Sequence, residues 1–295
     1  MRKHALAFWL AALLALPPAA AAAGAESAGA VLWQPSMNVF RRFAVDAGKM
    51  FEFYGEVLGF EQLSTIELGG GTGVARFQAG AQQLKLTGRV DDRTYVEGGV
   101  RDATGLRLLT FFFADEAELA ARFAAHGLDV PRFEPVPGSA ERRAFVTDPD
   151  GQWVELVVIP GATPEQLARL EVGLTVSDIE ESRAFYRDFV GLEELPPAED
   201  PRFGTTEYSF RHGATTITLR SYGDGLPADT GSGGIQYVVS DVDAVNELAQ
   251  ERGVVIDQPL STLPGFSLRS VWLDDPDGIT NYFAETRESR AARAR

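Results

Sequence analysis

The chain has 295 residues, enough for two domains that each bury a core of their own, and its 45% hydrophobic and 23% charged content is globular rather than disordered or polytopic. Lys and Arg number 27 against 42 Asp and Glu, a net charge of -15 that repels a phosphate backbone and argues against nucleic acid as a partner. The absence of cysteine removes disulfides, thiolate nucleophiles, and zinc-thiolate and iron-sulfur sites together.

Arg2, Lys3 and His4 precede an apolar stretch from Ala5 to Leu16, then Pro17, Pro18 and an alanine run with Ala-x-Ala sites. This order predicts a secretory signal peptide over residues 1–23, and hence a periplasmic or secreted mature protein. The stretch falls short of the roughly 20 apolar residues that span a bilayer, so no stable membrane insertion is expected.

The remainder repeats itself. Phe53-Tyr54 recurs as Phe185-Tyr186, Leu58-Gly59-Phe60-Glu61 as Val190-Gly191-Leu192-Glu193, and Asp148-Pro149-Asp150-Gly151 as Asp275-Pro276-Asp277-Gly278, always about 130 residues on. Two copies are predicted, 31–160 and 165–286, joined by the linker from Pro160 to Pro164 and followed by a basic tail, 287–295. In the second copy Val172 to Val176 alternates as a strand, Asp178 is a candidate N-cap with Glu181 three residues on, and Gly191 ends the helix. Thr205 to Arg211 and Ala214 to Arg220 flank a His212-Gly213 turn. The order then restarts with a strand from Gly234, a helix from Asp241 to Arg252 stopped by Gly253, and strands over Ser267 to Leu273 and Ile279 to Glu285. The predicted class is α+β, with four βαβββ modules in two domains. Arg287, Arg290, Arg293 and Arg295 predict a solvated, disordered tail. His126 is assigned to complementing its helix dipole.

The run Val176-Ser177-Asp178-Ile179-Glu180-Glu181-Ser182-Arg183-Ala184-Phe185-Tyr186, followed by Val190-Gly191-Leu192, resembles the opening module of the vicinal oxygen chelate (VOC) proteins. That superfamily includes glyoxalase I, bleomycin-resistance proteins and extradiol dioxygenases. Asp148-Pro149-Asp150-Gly151-Gln152-Trp153-Val154-Glu155-Leu156 is similar to the closing hairpin of the same group. The resemblance implies two glyoxalase-like domains with four inward positions each, which supply His, Gln or Glu in the metal-dependent members. Here they fall on Val39, Lys85, Leu108 and Glu155 in the first copy, and on Glu171, Thr218, Gly234 and Tyr282 in the second. One good ligand per copy predicts neither a bound metal nor another cofactor.

Residues two apart on a strand share a face, which predicts the lining of each cup. The first would hold Arg41, Lys85, Thr110 and Glu155 in mostly apolar surroundings, with the two cations suited to an anionic ligand. The second would hold Glu171, Thr218, Arg220, Gln236 and Tyr282, either with Glu171, Gln236 and Tyr282 presented to a polar, uncharged ligand or as a closed domain in which Tyr282 fills the cavity and Glu171 pairs with Arg220. Three functions are consistent with these residues. The first is metal-free binding of a small organic, anionic molecule. The alternative is a glyoxalase-like lyase or isomerase with Glu155 as general base and Arg41 and Lys85 stabilising the anion formed. A metal-dependent dioxygenase or lyase is the third. A monomer is consistent with both domains lying in one chain, and the sequence leaves open whether modules pair within a copy or across copies.

Overall fold

Four times along the chain, alternation at period two gives a strand, an apolar stripe at helical spacing gives a helix, and further strands follow. The computed structural model describes residues 26–293 apart from 36, 70, 71, 224 and 264, so the expected signal peptide lies outside the described residues. The first module comprises β1 (Asn38–Phe43), α1 (Ala47–Phe51), β2 (Glu61–Gly69), β3 (Thr72–Ala79) and β4 (Gln82–Gly88). The second comprises β5 (Gly105–Phe113), α2 (Glu116–Ala125), β6 (Glu134–Pro135), β7 (Arg142–Thr147) and β8 (Trp153–Val158). After a short linker helix, α3 (Pro164–Leu167), the third module runs through β9 (Leu170–Thr175), α4 (Ile179–Ala184), β10 (Glu193–Glu194), β11 (Ala198–Asp200), β12 (Thr205–His212) and β13 (Thr215–Arg220). The fourth has β14 (Gly233–Val238), α5 (Val242–Arg252), β15 (Val255–Thr262), β16 (Arg269–Asp274) and β17 (Thr280–Glu285), and α6 (Arg287–Arg293) follows.

The expected helix signals are present. Asp178 accepts from the backbone N–H groups of Glu180 and Glu181, and Gly253 closes α5 at φ +67°.

The sheets cross the duplication. One runs β15-β16-β17-β14-β1-β4-β3-β2, joining the last module to the first through an antiparallel β14–β1 contact. The other runs β10-β12-β13-β9-β5-β8-β7-β6, joining the third to the second through antiparallel β9–β5. Each curved sheet offers one face as a cup; cup A belongs to the first and fourth modules, cup B to the second and third.

Within a copy, the modules meet through their helices instead. Phe53 packs edge-on against Phe123, and Arg122 Nε donates to the carbonyl of Val57 at 2.9 Å. In the second copy Arg252 Nη1 does the same for Asp188 at 3.0 Å.

The repeated motifs are bonded to one another. α1 and α4 each pass into a widened, π-type turn carrying the Phe-Tyr pair. From these turns Tyr54 donates to Asp148 Oδ2 at 2.9 Å and Tyr186 to Asp275 Oδ2 at 2.8 Å, all four residues being buried. The other oxygen of each aspartate closes its own turn: Asp148 Oδ1 accepts from the N–H groups of Asp150 and Gln152, Asp275 Oδ1 from those of Asp277 and Ile279. Gly151 and Gly278 hold φ of +83° and +79° there, a region that disfavours a side chain.

One asymmetry separates the two turns. Arg41 Nε lies 4.0 Å from Asp148, whereas the core face of β9 presents Leu174, and Asp275 has no ion pair among the described residues. Burial therefore pushes the Asp275 carboxyl up to about 7, against the opposing bonds from the backbone and from Tyr186. Because its folded value lies above its unfolded one, the folded state keeps a proton that the unfolded chain has lost. Stability from this group is complete below about pH 4 and falls as pH rises towards 7, by about 1.4 kcal/mol per pH unit. Asp275→Asn should remove that slope, as measured by urea midpoints across this range. An unchanged slope would show that Asp275 does not titrate there.

The basic tail is not the disordered segment expected. Arg287–Arg293 forms α6 because Asp241, Asp243 and Glu285 gather within 4.8 Å of one another and attract its guanidinium groups. Arg290 pairs with Glu285 and Arg293 with Asp241, at 2.7 Å in the latter case, while Arg295 lies outside the described residues.

Candidate functional site

Strand pairing fixes what each cup contains. On β1, Asn38, Phe40 and Arg42 face cup A, and their cross-strand partners Gln236, Gly234, Lys85 and Thr87 face it with them. Tyr282 follows as the neighbour of Gln236 on β17. Val39, Arg41 and Phe43 take the opposite face.

Arg41 is thus not a cup residue, contrary to expectation. It is 0% exposed on the core face, donates to the carbonyl of Trp153 at 3.3 Å and lies beside Asp148. The physical reason is the period of two: the cup face of β1 falls on even-numbered residues, one out of step with the position counted from the helix tyrosine.

The expected trio of Arg41, Lys85 and Glu155 is consequently not assembled. Lys85 lies in cup A with Gln236 and Tyr282, and Glu155 lies in cup B with Thr110, Glu171 and Thr218. Because sheets pair across the duplication, residues assigned to the second copy's cup are also divided between the two. Arg220 stays with Glu171 and Thr218 in cup B, yet its partner is Glu207, while Glu171 pairs with Arg169 at 2.6 Å.

In cup A, Phe40 occupies the space that Gly234 leaves. A Cβ at Gly234 would lie 2.4 Å from the Phe40 ring, and Trp272 packs against both Phe40 and Tyr282.

Cup B is open at one end. A cavity of about 570 Å3 there is lined by Glu171, Thr216, Thr218, Ser209, Glu207, Arg169 and Arg211 among others. Thr110 stands between Glu171 on β9 and Glu155 on β8, directly paired with both, which separates the two glutamates by about 10 Å along the sheet. Burial raises the Glu207 carboxyl against the pull of Arg220. Arg169 also lies over the Phe112 ring at 4.1 Å.

The other end of cup B is closed. Glu155 is 2% exposed and accepts from Thr110 Oγ1 at 2.9 Å, from Arg143 at 3.2 Å and from Arg202. The Arg202 guanidinium is held above its ordinary value by Asp200 and Glu155 despite its burial. Phe145, Trp153 and Phe203 pack together beside this cluster. In the sequence Arg143 is marked only as an alternating residue of β7, and Arg202 arrives from a loop that no period describes.

These donors do not fit a divalent metal. Both oxygens of Glu155 are engaged by two guanidinium groups and a hydroxyl, Leu108 offers no ligand atom, and Thr218 is bonded to Ser209 at 3.0 Å. Cup A places a lysine and an aromatic ring at the corresponding positions.

A larger cavity, about 860 Å3, lies outside the cups against α1, α2 and β7, and none of the eight positions implied by the resemblance lines it. His126 sits on its rim, 2.7 Å from Glu52, so it is engaged by a carboxylate as well as standing at the end of α2. His212 meets the carbonyl of Gln34.

The glyoxalase/bleomycin resistance protein/dioxygenase superfamily model matches residues 36–156 and 168–283. A lactoylglutathione lyase from Arabidopsis thaliana is 26% identical over 291 residues, covering 90% of this chain and 98% of that protein. Another, from Haemophilus influenzae, is 27% identical over 128 residues, covering 41% of this chain and 95% of that protein. Among solved structures, glyoxalase I from Zea mays superposes with a TM-score of 0.68 at 23% identity, over 88% of this chain and 95% of that one, which shows a shared fold.

Proposed function

Because the chain belongs to the glyoxalase/bleomycin resistance protein/dioxygenase superfamily, we propose that it is a glyoxalase-like lyase or isomerase whose reaction takes place in cup B. The observation that carries this reading is the cavity of about 570 Å3 with Glu171 on its wall beside a row of hydroxyls. The lactoylglutathione lyases supply the analogy of reaction class.

Glu171 takes the role of general base. It is half-buried, reaches the cavity, and has Arg169 at 2.6 Å, so a carbon acid held between them meets a carboxylate and a guanidinium together. The carboxylate removes a proton from the carbon next to a carbonyl, and Arg169 with Thr216, Thr218 and Ser209 stabilises the enolate oxygen that develops. Glu155, with its arginines, orders the closed end of the cup.

The test is exchange of solvent hydrogen. Incubated in D2O with S-lactoylglutathione or a small α-hydroxy carbonyl compound, the protein should catalyse deuterium entry at the carbon beside the carbonyl, read by NMR. Saturable binding without exchange or turnover across such a panel would favour the second reading, a small-molecule binder, which the arginine pairing of Glu155 also supports.

We also assign the protein to the periplasm or the exterior, on the strength of residues 1–23. Intact-mass measurement of exported protein should show their loss, and retention of Met1 would overturn the assignment.

A further inference from the structure

We propose that cup A is a second site, in which the Lys85 amine forms an imine with a small aldehyde bearing a carboxylate. The inference goes beyond the lyase reading and uses none of its residues.

Lys85 faces the cup from β4, and its Nζ donates to Gln236 Oε1, which also accepts from Asn38 Nδ2 at 3.2 Å. Lys85 is half-buried, and no carboxylate pairs with it among the described residues, whereas the buried Arg107 and Arg220 are each ion-paired. An ammonium ion with three donors and one carboxamide acceptor is poorly compensated, so its proton is held less firmly than that of a fully solvated lysine. Burial and the neighbouring Arg76 hold its titration down at about 8, leaving about a tenth of it as the nucleophilic amine at neutral pH.

The surroundings suit an oxo acid. Arg76 stands directly across from Lys85 on β3; its Nε donates to the carbonyl of Ser64 at 2.8 Å, and it has no ion pair among the described residues. Its remaining nitrogens are placed to take a carboxylate. Tyr282 neighbours Gln236, and burial pushes its hydroxyl up to about 12, so it retains a proton to donate to a carbonyl oxygen. Phe40 and Trp272 supply an apolar wall.

The chemistry balances without an oxidant or reductant. The neutral Lys85 nitrogen attacks the aldehyde carbon, a C–N bond forms, and the carbonyl oxygen departs as water after two proton transfers. The imine remains.

Trapping tests this directly. The full chain is treated with glyoxylate and sodium cyanoborohydride near neutral pH, and peptides are mapped by mass spectrometry. The chain contains three lysines, and Lys49, exposed on α1, is the internal reference. Carboxymethylation of Lys85 should exceed that of Lys49 by about tenfold or more. Arg76→Gln should lower labelling by glyoxylate but not by propionaldehyde. Equal labelling of Lys49 and Lys85, labelling of Lys85 only in urea, or glyoxylate binding without an adduct would each overturn the proposal. Glu171→Gln should leave Lys85 labelling unchanged, so failure here is distinguishable from failure of the lyase reading.

Discussion

Glu171→Gln should lower kcat/KM by roughly 10²–10⁴-fold, the contribution expected of a positioned general base, while leaving the melting temperature nearly unchanged. The stability term is small because the Glu171 and Arg169 side chains are 29% and 38% exposed, and a solvent-screened pair of this kind contributes less than about 1 kcal/mol. Gln also keeps an oxygen facing Arg169, so substrate orientation survives and the loss falls on kcat. Glu155→Gln should behave in the opposite way. It leaves Arg143 and Arg202 without their shared buried carboxylate, so the folded state weakens and the closed end of cup B loosens. If Glu155→Gln abolished turnover in a fully folded protein while Glu171→Gln retained it, the base would be Glu155 and the assignment made here would be wrong.

Asp148→Ala should destabilise the protein by about 3–5 kcal/mol, as expected when one partner of a buried charged network is removed. Three losses coincide: the Tyr54 hydroxyl loses its acceptor, the Asp148 turn loses two backbone bonds, and Arg41 becomes a buried cation without a counter-charge. The matching change at the other turn, Asp275→Ala, breaks the equivalent hydroxyl and turn bonds but strands no cation, so its cost should be smaller near neutral pH. Denaturant midpoints of the two variants provide the comparison. Equal losses would mean that Arg41 contributes nothing to the first turn.

The modules and the duplication are legible in the sequence because they rest on local causes. Turn chemistry at Asp-Pro-Asp-Gly, a capping aspartate at Asp178 and a left-handed stop at Gly253 act over a few residues, and their recurrence exposes the repeat. The same local reasoning failed at the C-terminal arginines. Their order comes from Asp241, Asp243 and Glu285, which converge only after folding.

Membership of a cup was partly legible. Period-two alternation puts Thr110 on the face of Leu108 and Glu155 on the face of Trp153, and the β5–β8 register joins both pairs, since side-chain direction is a property of a single strand. It misplaced Arg41, where counting from a helix ran one residue out of step with the strand. By itself, then, the sequence determined four βαβββ modules, their tandem order and the facing of most strand residues. Tertiary structure decided which modules share a sheet. Pairing β1 with β14 and β9 with β5 moved Lys85 away from Glu155 and brought Glu155 and Glu171 into one cup. Edge-to-edge strand pairing is a long-range choice, made by backbone hydrogen bonds and core packing that the residues of one module do not encode.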